Sequence, residues 1–171
     1  MSERWIVFDL IGVLAEPSWR EIATAHDSAW QTFKRGECAE ALFWDAAHAA
    51  AYRKVLRFRS DRLAYVRALK ARGYRICLAS NFSREWLVAL LAKGGAAGLF
   101  DAQVVSAEVG AAKPDPAFFD EVRCHAPRGS IFVDNQKANC DAAASSGFRP
   151  IFAYPGCPIE AEVERLLLEE D

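Results

Sequence analysis

Three polar residues of this sequence, Asp9, Ser80 and Asp134, each follow a short apolar run. A carboxylate at the end of a strand can attack an electrophilic phosphorus or carbon atom and form a covalent ester. Two carboxylates can also hold Mg²⁺, a hard cation that prefers oxygen ligands. In open parallel sheets, ligands bind outside the carboxyl ends of the strands, at a switch point in strand order. We therefore expect the three residues to meet in one crevice.

The runs before these residues are typical of buried parallel strands, because they are short, continuous and apolar. They read WIVF at 5–8, ICLA at 76–79 and IFV at 131–133, and fainter strands are predicted at 102–106 and 150–154. Amphipathic patterns and capping residues predict helices at 61–72, 84–93, 117–124, 139–146 and 159–169. This alternation predicts an α/β fold, a three-layer Rossmann-like parallel sheet with helices on both faces.

Residues 16–58 interrupt the alternation, since they contain no convincing strand. They have the pattern of two or three helices, including 18–32 and 37–55. We predict that they form a small helical cap inserted into a core domain made of residues 1–15 and 59–171. Lys34 and Lys54 are the only lysines of this stretch, and we expect both to be solvated, because exposed lysine is the common case.

The composition narrows the class of protein. A chain of 171 residues with 52% hydrophobic and 26% charged residues suits one globular domain. A net charge of −2 without a polybasic tail argues against nucleic acid or anionic lipid as a partner. No apolar stretch reaches the roughly 18 residues that a membrane span needs, so we expect a cytoplasmic protein. The five cysteines, an odd number without a CxxC spacing, predict reduced thiols.

Four segments of the chain resemble, in order, the four motifs of the haloacid dehalogenase-like (HAD) hydrolase superfamily. They read IVFDLIGVL at 6–14, LASN at 78–81, GAAKPDP at 110–116 and IFVDN at 131–135. Each segment alone would be a weak signal, but all four in the family's order make a specific one. The helical stretch after Leu14, with Arg35-Gly36-Glu37, is similar to the small cap of one subfamily.

The resemblance implies roles for the first three segments. Asp9 would be the catalytic nucleophile, and Lys113 would neutralise the charge on Asp9 and on the transferring group. Ser80 and Asn81 would bind the oxygens of a phosphoryl or carboxylate group. The implied substrate is a small phosphorylated molecule.

The resemblance also implies a Mg²⁺ cofactor. Asp9, Asp134 and the carbonyl oxygen of Ile11 would be its protein ligands. Asn135 stands where the family often has a second acid, and it would hydrogen-bond a metal-bound water.

Ile11 departs from the family's phosphatases, which carry a second aspartate two residues after the nucleophile. That aspartate protonates the leaving group and then activates water, and isoleucine can do neither. Such general acid–base help is worth about 10²–10⁴-fold in rate. Two alternatives to a Mg²⁺-dependent hydrolase therefore stay open: a non-catalytic binding or regulatory module, and a metal-free haloacid-type dehalogenase. Asp134 argues against the dehalogenase. On oligomeric state, the sequence leaves open a homodimer that forms through the cap.

Overall fold

The structure, a computed structural model, describes residues 4–17 and 27–169. The strands are β1 (Trp5–Phe8), β2 (Ala15–Glu16), β3 (Arg57–Phe58), β4 (Arg75–Ser80), β5 (Ala102–Val105), β6 (Ile131–Asp134) and β7 (Arg149–Phe152). The helices are α1 (Asp27–Phe33), α2 (Glu40–Phe43), α3 (Ala46–Val55), α4 (Ser60–Ala71), α5 (Arg84–Lys93), α6 (Ser106–Val109), α7 (Pro116–His125), α8 (Lys137–Ser145) and α9 (Ile159–Leu168).

Five of the strands form one parallel sheet in the order β5-β4-β1-β6-β7. After β1, the chain adds β4 and β5 on one side of it and then β6 and β7 on the other side. The switch point in strand order therefore lies at the carboxyl end of β1. Phe8 is in register with Leu78 of β4 and Val133 of β6. The next residue, Asp9, therefore lies between the carboxyl ends of β4 and β6. The predicted fold class is confirmed.

Helices cover both faces of the sheet. Ile6 and Phe8 point into a core shared with α4, α5 and α9, whereas Val7 packs with Phe118 and Phe119 of α7. These three β1 residues are at most 1% exposed. Burial on both faces explains why the strand is a continuous apolar run rather than an alternating one.

The stretch between residues 16 and 58 differs in two respects from the sequence prediction. β2 and β3 form a two-stranded antiparallel flap, with Ala15 opposite Phe58 and Glu16 opposite Arg57. Strands of two residues are too short to show an alternating pattern. The predicted helix 37–55 is two helices, because Asp45 accepts hydrogen bonds from the Ala47 and His48 amides and so begins α3. Part of the predicted helix 18–32 lies outside the described residues.

Aromatic rings join α1, α2 and α3 to the core helix α5. Phe33, Phe43, Trp44 and Tyr52 surround Trp86, with ring centroids 4.8 to 6.2 Å apart. The Trp86 indole nitrogen also donates a hydrogen bond to Glu40. The helices of the predicted cap thus pack firmly on the core, while the domain boundaries themselves stay a prediction.

All five cysteines have free thiols in the structure. Within residues 4–17 and 27–169, no helix combines the length and apolar character that crossing a membrane requires.

Candidate active site

A cavity of about 710 Å³ opens at the carboxyl ends of the central strands. Asp9, Ser80, Asn81 and Lys113 line it, together with Ile11. Strand register explains why Asp9 and Ser80 share this cavity, since they lie at the ends of neighbouring strands. Asp134, the third residue predicted to be there, lies just behind the lining and is fully buried.

Lys113 connects the two carboxylates below the cavity. Its ammonium donates to Asp9 Oδ1 at 2.7 Å, to Asp134 Oδ2 at 2.6 Å and to the Ala79 carbonyl oxygen at 2.8 Å. The three hydrogens of the ammonium are therefore matched by three acceptors. The Lys113 side chain is 1% exposed, so these bonds compensate for a buried charge that would otherwise be very costly.

Asn81 holds the main chain of Lys113 in place. Its amide nitrogen donates to the Lys113 carbonyl oxygen at 2.9 Å, and its amide oxygen accepts from the Lys113 backbone N–H at 2.8 Å. Gly110, at φ 72°, ends α6 in a left-handed conformation and turns the chain toward this contact. Asn81 was predicted to bind substrate, and the structure adds a positioning contact that the sequence did not indicate.

Burial and neighbouring charges shift the pKa values of Asp9 and Lys113. Burial raises the pKa of Asp9 to about 7, because the charge of Lys113 only partly offsets lost hydration and the charge of Asp134 adds to the shift. Burial alone would lower the pKa of Lys113, but the attraction of Asp134 and Asp9 outweighs it and raises that pKa. Lys113 therefore stays cationic, whereas the raised pKa of Asp9 lies near neutral pH.

Lys34 corrects one sequence expectation. It was expected to be solvated, yet it is 7% exposed and lines the cavity, whereas Lys54 is exposed as expected. The Ser106 hydroxyl donates to the Lys34 carbonyl oxygen and accepts from the Phe82 N–H at 3.1 Å. This bridge fixes the Lys34 loop against the loop that follows β4.

A sequence model of the haloacid dehalogenase-like hydrolases matches residues 35–147. The chain belongs to this family. No curated protein sequence matches it significantly. The sequence's four-motif resemblance is thereby confirmed at the level of the family.

Solved structures of the family share the fold. A HAD family enzyme from Bacteroides thetaiotaomicron has 18% identity and a TM-score of 0.79, covering 95% of this chain and 99% of that one. The same enzyme was also solved with magnesium and inorganic phosphate. A predicted HAD-like hydrolase from Porphyromonas gingivalis has 19% identity and a TM-score of 0.76, covering 96% and 98%. L-2-haloacid dehalogenase from Xanthobacter autotrophicus, with chloropropionic acid covalently bound, has 21% identity and a TM-score of 0.66, covering 87% and 76%.

Asp134 fits poorly as a direct metal ligand in this HAD family site. Its Oδ1 accepts from the Gln136 N–H at 2.8 Å and from Asn139 Nδ2 at 3.0 Å. Its Oδ2 accepts from Lys113 at 2.6 Å and from Asn139 at 3.0 Å. Three donor groups thus surround its two oxygens, and a cation at Oδ2 would lie next to the Lys113 ammonium and be repelled by it.

Asn135 fits better. Its side-chain oxygen is buried and accepts no hydrogen bond from the described residues, although the residue lines the cavity. Gly12 leaves room for the Asn135 amide, because a Cβ at Gly12 would lie 2.1 Å from it. Amide, carboxylate and carbonyl oxygens all suit Mg²⁺, which usually keeps several waters. Asp9, Asn135 and the Ile11 carbonyl are thus a donor set that fits this cofactor.

Substitution of Asn135 tests this donor set. We expect Asn135→Ala to weaken Mg²⁺ binding by about 10-fold or more, since even outer partners of metal ligands have effects of this size. Asn135→Asp should strengthen binding, because it adds a negative charge. The measurement is the Mg²⁺ concentration that half-maximally raises Tm after chelator treatment. Unchanged affinity in Asn135→Ala would return the ligand role to Asp134.

Proposed function

We propose that this member of the family is a Mg²⁺-dependent hydrolase that transfers the phosphoryl group of a small phosphorylated molecule to Asp9 and then to water. One observation carries the proposal: the carboxylate of Asp9 faces the cavity while the buried ammonium of Lys113 holds it at 2.7 Å. Support also comes from the Bacteroides thetaiotaomicron relative, which binds magnesium and phosphate. The prediction that neither nucleic acid nor a membrane is a partner belongs to this proposal.

In the first half of the reaction, Asp9 attacks phosphorus and the bond to the leaving group breaks. Lys113 balances the negative charge that gathers on Asp9 and the phosphoryl oxygens, and Asp134 keeps Lys113 charged. Ser80, at the end of β4, lines the same cavity and can donate its hydroxyl to a phosphoryl oxygen. When bound, Mg²⁺ would neutralise those oxygens and lower the pKa of Asp9.

The leaving group determines which substrates react well. Ile11 lines the cavity at the position of the usual acid, and it cannot donate a proton. An acyl or aryl phosphate releases a carboxylate or phenolate, which is stable as an anion. An alkyl phosphate releases an alkoxide, which must be protonated as it departs. We therefore expect a preference for acyl or aryl phosphates of about 10²-fold or more over alkyl phosphates.

A phosphate-release screen tests the function. Acetyl phosphate, p-nitrophenyl phosphate and a set of alkyl phosphates are incubated with the protein, with and without Mg²⁺. We expect Mg²⁺-dependent release, fastest from the first two. Folded protein that releases no phosphate would contradict the proposal.

Two further readouts separate the alternatives. Chloride release from 2-chloropropionate without metal would indicate dehalogenase chemistry, to which the Xanthobacter relative gives some support. A rise of Tm with phosphorylated ligands, without turnover of any of them, would indicate a binding module. Ile11 is compatible with both alternatives, whereas Asp134 argues against the dehalogenase.

A further inference from the structure

The second half of the proposed reaction needs a proton acceptor. Water attacks phosphorus, the bond from phosphorus to Asp9 breaks, and the electron pair returns to the Asp9 carboxylate. The attacking water must also lose a proton. Asp9 is the leaving group in this step, so it cannot serve as the base, and Ile11 has no basic atom.

Among the described residues that line the cavity, Glu16 is the one carboxylate besides Asp9, and no histidine lines it. The other polar side chains there are amides, the Ser80 hydroxyl, the Trp30 indole, and the cations Lys34, Arg59 and Lys113. Amides and a hydroxyl are poor proton acceptors, an indole N–H is a donor only, and a charged ammonium or guanidinium has no acceptor atom. Elimination within the described residues therefore leaves Glu16.

The fold brings Glu16 close to the position of the missing acid. Ala15 is bridged to Ile11, and the Gly12 N–H donates to the Ala15 carbonyl oxygen at 2.9 Å. Glu16 is the next residue after Ala15 and belongs to the flap of β2 and β3. A glutamate from this flap can thus reach into the cavity that an aspartate at position 11 would otherwise serve.

A contact with β3 restrains the Glu16 side chain. Arg57, directly opposite in the flap, donates to Glu16 Oε1 at 2.7 Å. The other carboxylate oxygen receives no hydrogen bond from the described residues in this contact. The Glu16 side chain is 44% exposed, so a proton taken from water can pass on to solvent.

We infer that Glu16 is the general base that activates water against the aspartyl phosphate on Asp9, in place of the acid–base residue missing at Ile11; this inference rests on the proposed function. One proton moves from water to Glu16, phosphate forms, and Glu16 then returns the proton to solvent. Glu16 has no role in the first half, in which the leaving group departs unprotonated.

Stopped-flow and quench measurements with p-nitrophenyl phosphate and Mg²⁺ test the inference. Glu16→Gln should keep a burst of nitrophenolate close to one per active site, and its steady rate should fall about 100-fold. Intact-mass measurement should then show phosphorylated protein accumulating. Glu37→Gln, an exposed glutamate outside the cavity lining, is the matched control and should behave like the parent.

A second substitution separates catalysis from a purely structural effect. Ile11→Asp in the Glu16→Gln background supplies a new base, so it should restore the steady rate at least about 10-fold. A weakened flap would not be repaired by that change. A steady rate in Glu16→Gln within about threefold of the parent, loss of the burst together with turnover, or no rescue would each overturn the inference. Failure of the proposed function is distinguishable, because the parent itself would then show no Asp9-dependent phosphorylation.

Discussion

Replacement of Lys113 by methionine is expected to lower the free energy of unfolding by about 3–5 kcal/mol. The ammonium of Lys113 lies within 2.7 Å of one oxygen on each of Asp9 and Asp134, and all three side chains are less than a tenth exposed. Without the cation, two like charges remain buried at the ends of adjacent strands. The Ala79 carbonyl oxygen also loses a donor. Methionine has a similar length, so the loss is mainly electrostatic.

The effect of Lys113→Met should depend on pH. Protonation of Asp9 relieves the repulsion, so the variant should be least stable at pH 8 and recover part of its stability near pH 5. Urea unfolding of chelator-treated protein at both pH values measures this. Lys137→Met is the matched control: Lys137 pairs with Asp141 on the surface, and such pairs contribute little. If Lys113→Met lowered the free energy of unfolding as little as the control does, Lys113 would not stabilise the fold through its contacts with Asp9 and Asp134.

Replacement of Asp9 by asparagine is expected to reduce turnover by about 10⁴-fold or more, because asparagine cannot form the phosphoryl ester. The substitution should leave the fold intact, since asparagine has nearly the same shape. Phosphate release from acetyl phosphate measures the loss, and intact mass should show no phosphorylated protein. Asp120→Asn, at an exposed position paired with Arg123, should retain full activity. Turnover by Asp9→Asn at the parental rate would exclude Asp9 as the nucleophile.

The same substitution should stabilise the metal-free protein at neutral and alkaline pH. The pKa of Asp9 is raised in the folded state from 3.8 to about 7. Between those values the unfolded chain holds fewer protons than the folded one, so stability falls as pH rises. The asparagine side chain of Asp9→Asn does not titrate. Between pH 4 and pH 8 the free energy of unfolding of the variant should therefore rise, relative to that of the parent, by on the order of 1 kcal/mol or more. A parallel pH dependence of both proteins would show that Asp9 is not shifted upward.

These effects concern residues that the sequence already singled out, and the sheet explains why. A strand covered on both faces must be apolar throughout, so its first polar residue marks the carboxyl end. In a parallel sheet those ends lie at one edge. The runs before Asp9 and Ser80 therefore predicted both the fold and the place of the cavity from local patterns alone.

Local patterns also explain the errors in the helical stretch. The flap strands β2 and β3 have two residues each, too few for a period to appear. Asp45 is a good N-cap, and the helix prediction across 37–55 did not use it as a boundary. The interruption after Phe43 places Trp44 in an extended conformation between two helices.

By itself, the sequence determined the α/β class, the four motifs and the identity of Asp9 and Lys113 as the residues of interest. Only the tertiary structure decided how these residues are arranged, because the contacts that position them join residues far apart in the chain. The Lys113 contact to Asp9 spans 104 positions, and the Asn81 contact to Lys113 spans 32. The hydrogen bonds around Asp134, the burial of Lys34 and the position of Glu16 at the cavity likewise depend on which loops come together. Side-chain periodicity carries no information about such meetings, since it reports only which face of an element is buried.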